Sequence, residues 1–557
     1  MNNNFSRRDF LKTGAVITAG LSLGLKLNNQ FDVIIKNGKI ADGTGSILFK
    51  ADVGINGDKI EAIGDLSSSS ANLIIDAEEH IVSPGFIDIH THTDTELIVN
   101  PKGESKIRQG VTTEVSGNCG SSPFPYTDED FEIIRESFKK RYDEDINWKD
   151  ITGFLRTLEE KKISLNYATF TGSGDLRAYV VGKNDVQPSP EQLKKMKELL
   201  AEDMKNGSFG LSTGLEYAPG SYASTDELIE LAKVVAEHHG IYNTHMRNED
   251  DRLEEAIQEA LKICKEAGVK LEIAHLKTSN PANWHKIENV LNMIDKAAES
   301  GLPVNADRYP YVAYATGLSA LLPLWARQGN TDEILKRMEV KDSLPAIKEY
   351  VSSRAKRIGG WKNFVISYCI SEKNKKWEGK SILESAEIEG LEPTDFVIQI
   401  LKEEKLQAGM VGFAMNEDNL KRILAHKLVM IGSDGNATAP YGKLGTGKPH
   451  PRYYGTFPRV LGKYCREDKI FDFPTAVKKM TSMAADKLGL KGRGYLKKNY
   501  FADIVVFNPL TVLDKANFTD PHQYPDGIKY VFVNGVLTIK DGEHTGAYSG
   551  AVLRHTV

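Results

Sequence analysis

Ile87-Asp88-Ile89-His90-Thr91-His92 is an apolar strand ending in two histidines at i and i+2, so both imidazoles leave the same side of the strand. Two neutral ring nitrogens converging on one point make half a zinc site. A lone pair of this kind is often satisfied by ordinary hydrogen bonds, so its meaning depends on context. Ile241-Tyr242-Asn243-Thr244-His245 is a second strand ending in histidine, and Leu271-Glu272-Ile273-Ala274-His275 is a third, one βα unit further on. A fourth, Leu428-Val429-Met430-Ile431-Gly432-Ser433, ends in Asp434. In a barrel these strand ends stand together at the C-terminal rim, where barrel active sites are built. Four such endings predict a metal centre.

The surrounding chain alternates helix and strand. Leu253, Ala256, Ile257, Ala260, Leu261 and Cys264 fall on one helical face, and Gly268 stops it. Strand Val269 to Ala274 follows, then a helix carrying Ile287, Val290, Leu291 and Ile294, a stop at Gly301 and a strand from Val304 to Ala306. Repeated βαβ units predict a parallel sheet with helices outside, open or closed. Closed, the units would form a (β/α)8 TIM-like barrel with these strand ends side by side at its rim. From about residue 320 to 408 the rhythm blurs into Lys- and Glu-rich helices, which read as an inserted, lid-like subdomain.

Both flanks have a different texture. Asp32–Ile40, Asp52–Ile55 and Ile60–Gly64 are short β-rich runs closed by turns, and the pattern returns at Asp503–Phe507 and Tyr530–Gly535. The expected organisation is therefore a leader at 1–30, a small β-sandwich from 31–85 and 486–557, and a barrel from 86–485. The leader carries Arg7-Arg8 ahead of Phe10-Leu11-Lys12 and a mild apolar run from Gly14 to Leu25, too short to span a bilayer. It reads as a twin-arginine export signal, with a periplasmic destination and no clear cleavage site.

With Lys+Arg 71 against Asp+Glu 76, no strong field is available to hold nucleic acid or anionic lipid. A small-molecule substrate is expected, and no membrane span in the mature protein. The four cysteines are too scattered for a disulfide framework. Cys264 reads as packing.

Pro84-Gly85-Phe86-Ile87-Asp88-Ile89-His90-Thr91-His92 resembles the opening signature of the amidohydrolase superfamily. Gly110 to Gly120, with Cys119 near its end, resembles the D-aminoacylase (N-acyl-D-amino-acid deacylase) family, in which a cysteine replaces the bridging carbamylated lysine of other members. The segments Gly207–Leu215, His245-Met246-Arg247, His275-Leu276-Lys277, Asp307–Tyr311 and His450–Arg459 look like further landmarks of that family. Gly172-Ser173-Gly174 departs from it, with Ser173 where histidine is common, so that loop is left out of the site.

The resemblance implies that Cys119, His245 and His275 hold a tight Zn(2+), with His90, His92 and Asp434 around a second, weaker position. Such a metal acidifies a water toward pKa ~7 and polarises the scissile amide. Asp434 would carry the proton from water to leaving amine, or else serve as a structural partner of a histidine. A substrate with a free carboxylate needs cations: Arg452 offers a bidentate fork and Lys277 and Tyr309 single donors, Tyr217 would line the same pocket, and Arg247 would either support a ligand or touch the substrate. The expected activity is hydrolysis of N-acyl-D-amino acids. Alternatives are cyclic amide opening, as in a hydantoinase, cleavage of dipeptides with a D-residue, or an exported binding protein that lost turnover.

Overall fold

The computed structural model describes residues 30–556; the expected leader, apart from Gln30, lies outside them. Eight strands follow one another around a barrel: Phe86–Asp88, Val111–Ser116, Asn166–Thr169 continued by Thr171–Gly172, Gly210–Gly214, Ile241–His245, Lys270–Ile273, Val304–Arg308 and Val429–Ile431. Each pairs in parallel with the next. The ring closes through a parallel bridge between Thr91 and Gly435, and through the Asp434 N–H, which donates to His90 O at 2.8 Å. Closure thus occurs at the histidine-bearing rim.

Side-chain alternation explains the layers. Leu211, Tyr242 and Leu271 face outward into a core shared with helices Thr225–Glu237, Leu253–Ala267 and Ile287–Glu299. Leu253, Ala256, Ile257, Ala260 and Cys264 are buried on one face of the second of these, as the periodicity predicts, with Ile263 buried beside them and Leu261 only partly covered at its edge. Each large aliphatic there is worth about 1.5–3 kcal/mol of burial. Gly268, at φ +66, ends the helix in a left-handed conformation and donates its N–H to Cys264 O.

A nine-stranded sheet among the described residues joins the two ends of the chain. Ile81–Pro84 pairs with Gln30–Ile40 on one side and antiparallel with Ile504–Phe507 on the other. Val33, Ile35, Val53, Ile55, Ile504 and Val506 meet in its core. The two β-rich flanks are one unit because neither supplies enough apolar surface alone.

Between the seventh and eighth barrel strands the chain makes a long excursion. It contains an antiparallel sheet in which Gly409–Gly412 lies between Tyr314–Gly317 and Phe364–Tyr368, so that the sheet begins before residue 320 and ends after residue 408. Helices Leu344–Ile358 and Pro393–Glu403 pack on it around Leu318, Ile347, Trp377 and Phe396. This sheet escapes a periodicity reading because its strands are short and far apart in sequence.

Candidate metal centre and substrate cavity

The site is built from loops that leave the barrel strands. Cys119, His275 and Asp434 all take positive φ, at +52, +35 and +51. A left-handed conformation costs a non-glycine residue of order 1–3 kcal/mol, and here it turns each side chain over the barrel axis. Gly432 allows the close approach of two strands: a Cβ there would lie 2.7 Å from His90 Cβ.

Cys119 Sγ lies 3.3 Å from His275 Nε2 and 3.4 Å from His90 Nε2. Asp434 Oδ1 is 3.0 Å from His92 Nε2 and 3.6 Å from His90 Nε2. One donor atom from each of His90, Cys119, His275 and Asp434 lies within 4.8 Å of the others, and His245, Glu249 and His275 form a second such group. Both ring nitrogens of His245 are buried without a hydrogen-bond partner. An orphaned imidazole beside a thiol and three further histidines is a donor set that suits zinc. The two groups share His275, so they cut across the ligand sets that the resemblance implies.

A supporting layer orients these rings. His90 Nδ1 is 3.1 Å from Asp307 Oδ2, whose other oxygen accepts the His275 backbone N–H at 3.0 Å. His275 Nδ1 lies 3.1 Å from Glu249 Oε1, which also accepts from Lys277 Nζ at 2.6 Å. Such carboxylate partners leave the far ring nitrogen free for a metal. Sequence reasoning gave no role to Asp307 or Glu249. Asp307 lay inside a landmark segment, and Glu249 lies four residues beyond His245.

Burial alone would raise the Cys119 thiol. The charges of His275 and His90, which also lie within hydrogen-bond reach of the sulfur, hold it well below its ordinary value. Burial works against the Asp434 carboxylate too, yet Arg452, His275 and His92 keep it well below the usual carboxylate range. His92 resists its own desolvation through hydrogen bonds to Asp434 and Cys119 and is raised to about 10. Protons on these rings balance the thiolate and carboxylate, and a divalent cation would displace them.

The cluster floors a cavity of about 950 Å³ that the excursion helps to wall, through Arg327, Tyr350 and Arg354. Arg452 lines it, 2 % exposed, with Nε and Nη1 making no hydrogen bond and Nη1 2.8 Å from Asp434 Oδ2. His450 positions this arginine: its Nδ1 accepts the Arg452 N–H at 3.0 Å while Nε2 rests on Ala313 O. Tyr309 stacks beneath the guanidinium at 4.7 Å with its hydroxyl buried and unpartnered, and is not a lining residue. Lys277 lines the cavity but is held by Glu249. Tyr217 meets the His245 ring edge to face, its hydroxyl accepting from Thr316 at 3.3 Å. Arg247 reaches the wall with its guanidinium engaged by Glu259 and the carbonyls of Ser221 and Ala223. Ser173 Oγ is buried without a partner, while its neighbours Gly174 and Asp175 line the cavity.

A family model described as the amidohydrolase family matches residues 73–316 and 383–539. D-aminoacylase of Alcaligenes xylosoxydans xylosoxydans is 35% identical over 533 residues, covering 95% of this chain and 99% of the relative. The chain belongs to the amidohydrolase superfamily, in its N-acyl-D-amino-acid deacylase family. Two further relatives from the same organism are an N-acyl-D-glutamate deacylase (33% identical, 91% of this chain and 94% of the relative) and an N-acyl-D-aspartate deacylase (32%, 93% and 94%). Among solved structures, a D-aminoacylase studied for its binuclear metal centre aligns with a TM-score of 0.79 at 35% identity, over 94% of this chain and all of that one. N-acyl-D-glutamate deacylase from Bordetella bronchiseptica, complexed with zinc and a phosphonate inhibitor, aligns with a TM-score of 0.79 at 32% identity and the same coverage. This amidohydrolase therefore has the barrel and sandwich expected of it. The stretch between the two matched segments falls within the excursion over the cavity. A twin-arginine signal matches residues 4–24, and no helix among the described residues is long and apolar enough to cross a membrane.

Proposed function

We propose that this amidohydrolase is a zinc-dependent deacylase that hydrolyses the amide bond of N-acyl-D-amino acids, releasing a carboxylate and a free D-amino acid. The observation that carries this reading is the convergence of Cys119, His90, His275 and Asp434 beside a buried, cavity-lining arginine, Arg452, that is ion-paired with Asp434. Cys119, His245 and His275 would hold the tight metal, and His90, His92 and Asp434 a weaker second one. Bound zinc supplies a Lewis acid for the amide carbonyl and acidifies water at the site.

The chain's own residues do the rest. Arg452, with Tyr309 behind it and Lys277 across the cavity, binds the substrate carboxylate; a fork fixes it by two bonds where an ammonium fixes it by one. With carboxylate and amide both fixed, only one hand of side chain points into open cavity. Asp434 takes a proton from water and returns it to the leaving amine. Tyr217 and Arg247 shape the wall beside His245. The division into leader, sandwich halves, barrel and lid-like insert belongs to the same proposal, as does delivery to the periplasm.

The test is turnover of a panel of N-acetyl amino acids of both hands, hydantoins and D-residue dipeptides, with zinc present. The expected result is hydrolysis of the acetylated D-series above all others. Preference for hydantoins or dipeptides would replace this reading with the corresponding amidase.

A further inference from the structure

The relatives act on substrates with different side chains, so a family assignment at this identity leaves the side chain open. One wall of the cavity speaks to it. Glu216 is half-buried, two residues past the end of the fourth barrel strand, and lines the cavity next to Tyr217. Among the described residues its carboxylate has no hydrogen bond and no cation within 4.0 Å.

Most of the cavity's other charges are already matched. Lys277 sits 2.6 Å from Glu249, Arg247 is 2.9 Å from Glu259, and Arg452 is 2.8 Å from Asp434. Asp250 faces both Arg354 at 3.6 Å and Arg357 at 3.8 Å. Arg327 spends Nη1 on the Glu216 backbone carbonyl at 3.0 Å, and its Nε is sealed from solvent. The Glu216 carboxylate is therefore the anion on this wall that no hydrogen bond or ion pair engages. The same cavity is also lined by Ala320, Leu324 and Met410, which offer apolar surface to an aliphatic stem. A half-buried carboxylate without a partner keeps a desolvation cost that a cation arriving on such a stem would offset.

We propose that Glu216 receives the cationic end of the substrate's side chain, so that the preferred substrates are N-acyl derivatives of basic D-amino acids, of the D-lysine and D-arginine kind. The assignment rests on the deacylase reading above. A D-glutamate side chain would meet like charge at this wall, and an apolar one would leave the carboxylate unpaired.

The experiment compares kcat/KM for N-acetyl-D-arginine, N-acetyl-D-lysine, N-acetyl-D-norleucine and N-acetyl-D-glutamate in wild type, Glu216→Gln and Glu216→Leu. The basic substrates should exceed the norleucine derivative by about ten- to a hundredfold, the range of a charged hydrogen bond. That ratio should collapse in Glu216→Gln and invert in Glu216→Leu. A wild type that favours D-glutamate or D-norleucine, or a ratio that survives in both variants, overturns the proposal while leaving the deacylase reading intact. If no acetylated D-amino acid is hydrolysed, the deacylase reading falls, and calorimetry with free D-arginine and D-norleucine decides on Glu216 alone. Tighter binding of D-arginine, lost in Glu216→Gln, supports it; equal binding overturns it.

Discussion

Arg452 Nη1 lies 2.8 Å from Asp434 Oδ2, so the cation assigned to the substrate carboxylate and the carboxylate assigned to proton transfer share one ion pair. An incoming carboxylate competes with Asp434 for the guanidinium. Were it to win, Asp434 would lose its main stabilising charge and become a stronger base. On the proposed roles, binding and proton transfer would be coupled through one side chain.

Arg452→Lys keeps the charge and loses the fork. On an N-acetyl-D-amino acid it should lower kcat/KM by ~1.5–3 kcal/mol of transition-state binding. The C-terminal amide of the same substrate should lose much less. Equal losses on both would show that Arg452 supports the fold and does not hold the carboxylate.

The pH profile follows from the same pair. Burial raises the Asp434 carboxyl, and Arg452 is the largest influence holding it down. Arg452→Met should therefore raise its pKa and move the acid limb of kcat/KM to higher pH, because the base is lost to protonation sooner as pH falls. An acid limb that stays in place would assign it to another group.

Asp434→Asn keeps the shape and removes the proton acceptor. It should cut kcat by ~10²-fold or more while the tight zinc stays bound. Near-normal kcat would place proton transfer elsewhere.

Dialysed wild type should retain close to one equivalent of zinc, and Cys119→Ala should lose both zinc and activity. Loading at neutral pH should release protons, since His92 is raised to about 10 and metal competes with them. Affinity should accordingly fall as pH falls. Elemental analysis and proton-release titration read both effects, and full activity without metal would end the metalloenzyme reading.

Lys106 is fully buried and donates to Asp88 Oδ2 at 2.9 Å, Ser433 Oγ at 2.6 Å and Gly435 O at 2.9 Å, with Glu114 Oε1 3.2 Å away. It ties the first two barrel strands to the loop bearing Asp434. Lys106→Met leaves two buried carboxylates short of their counter-charge and should cost about 3–5 kcal/mol of stability. An unchanged Tm would show that the network is dispensable.

The histidine-ended strands were legible because two local signals coincide: His92, His245 and His275 each close a short β-rich run. The helix from Leu253 was legible from periodicity alone. The pairings that complete the site were not, since Asp307 reaches His90 and His450 braces Arg452 only through tertiary contact. Glu249 could have been suspected from its place four residues after His245, but nothing local says that its carboxylate serves His275. The sheet of Tyr314–Gly317 and Gly409–Gly412 stayed hidden because pairing across so long a loop leaves no short-range trace.

The joint between Ile81–Pro84 and Ile504–Phe507 also sets an order of events in the cell. The strand edge beside Ser83 stays open until nearly the whole chain has left the ribosome, so the sandwich is the last part to be finished. A secretion channel that threads unfolded chain would carry the two halves across separately and leave their meeting to the far side. A translocase that accepts only completed molecules lets the joint close, and metal be loaded, in the compartment where the protein is made.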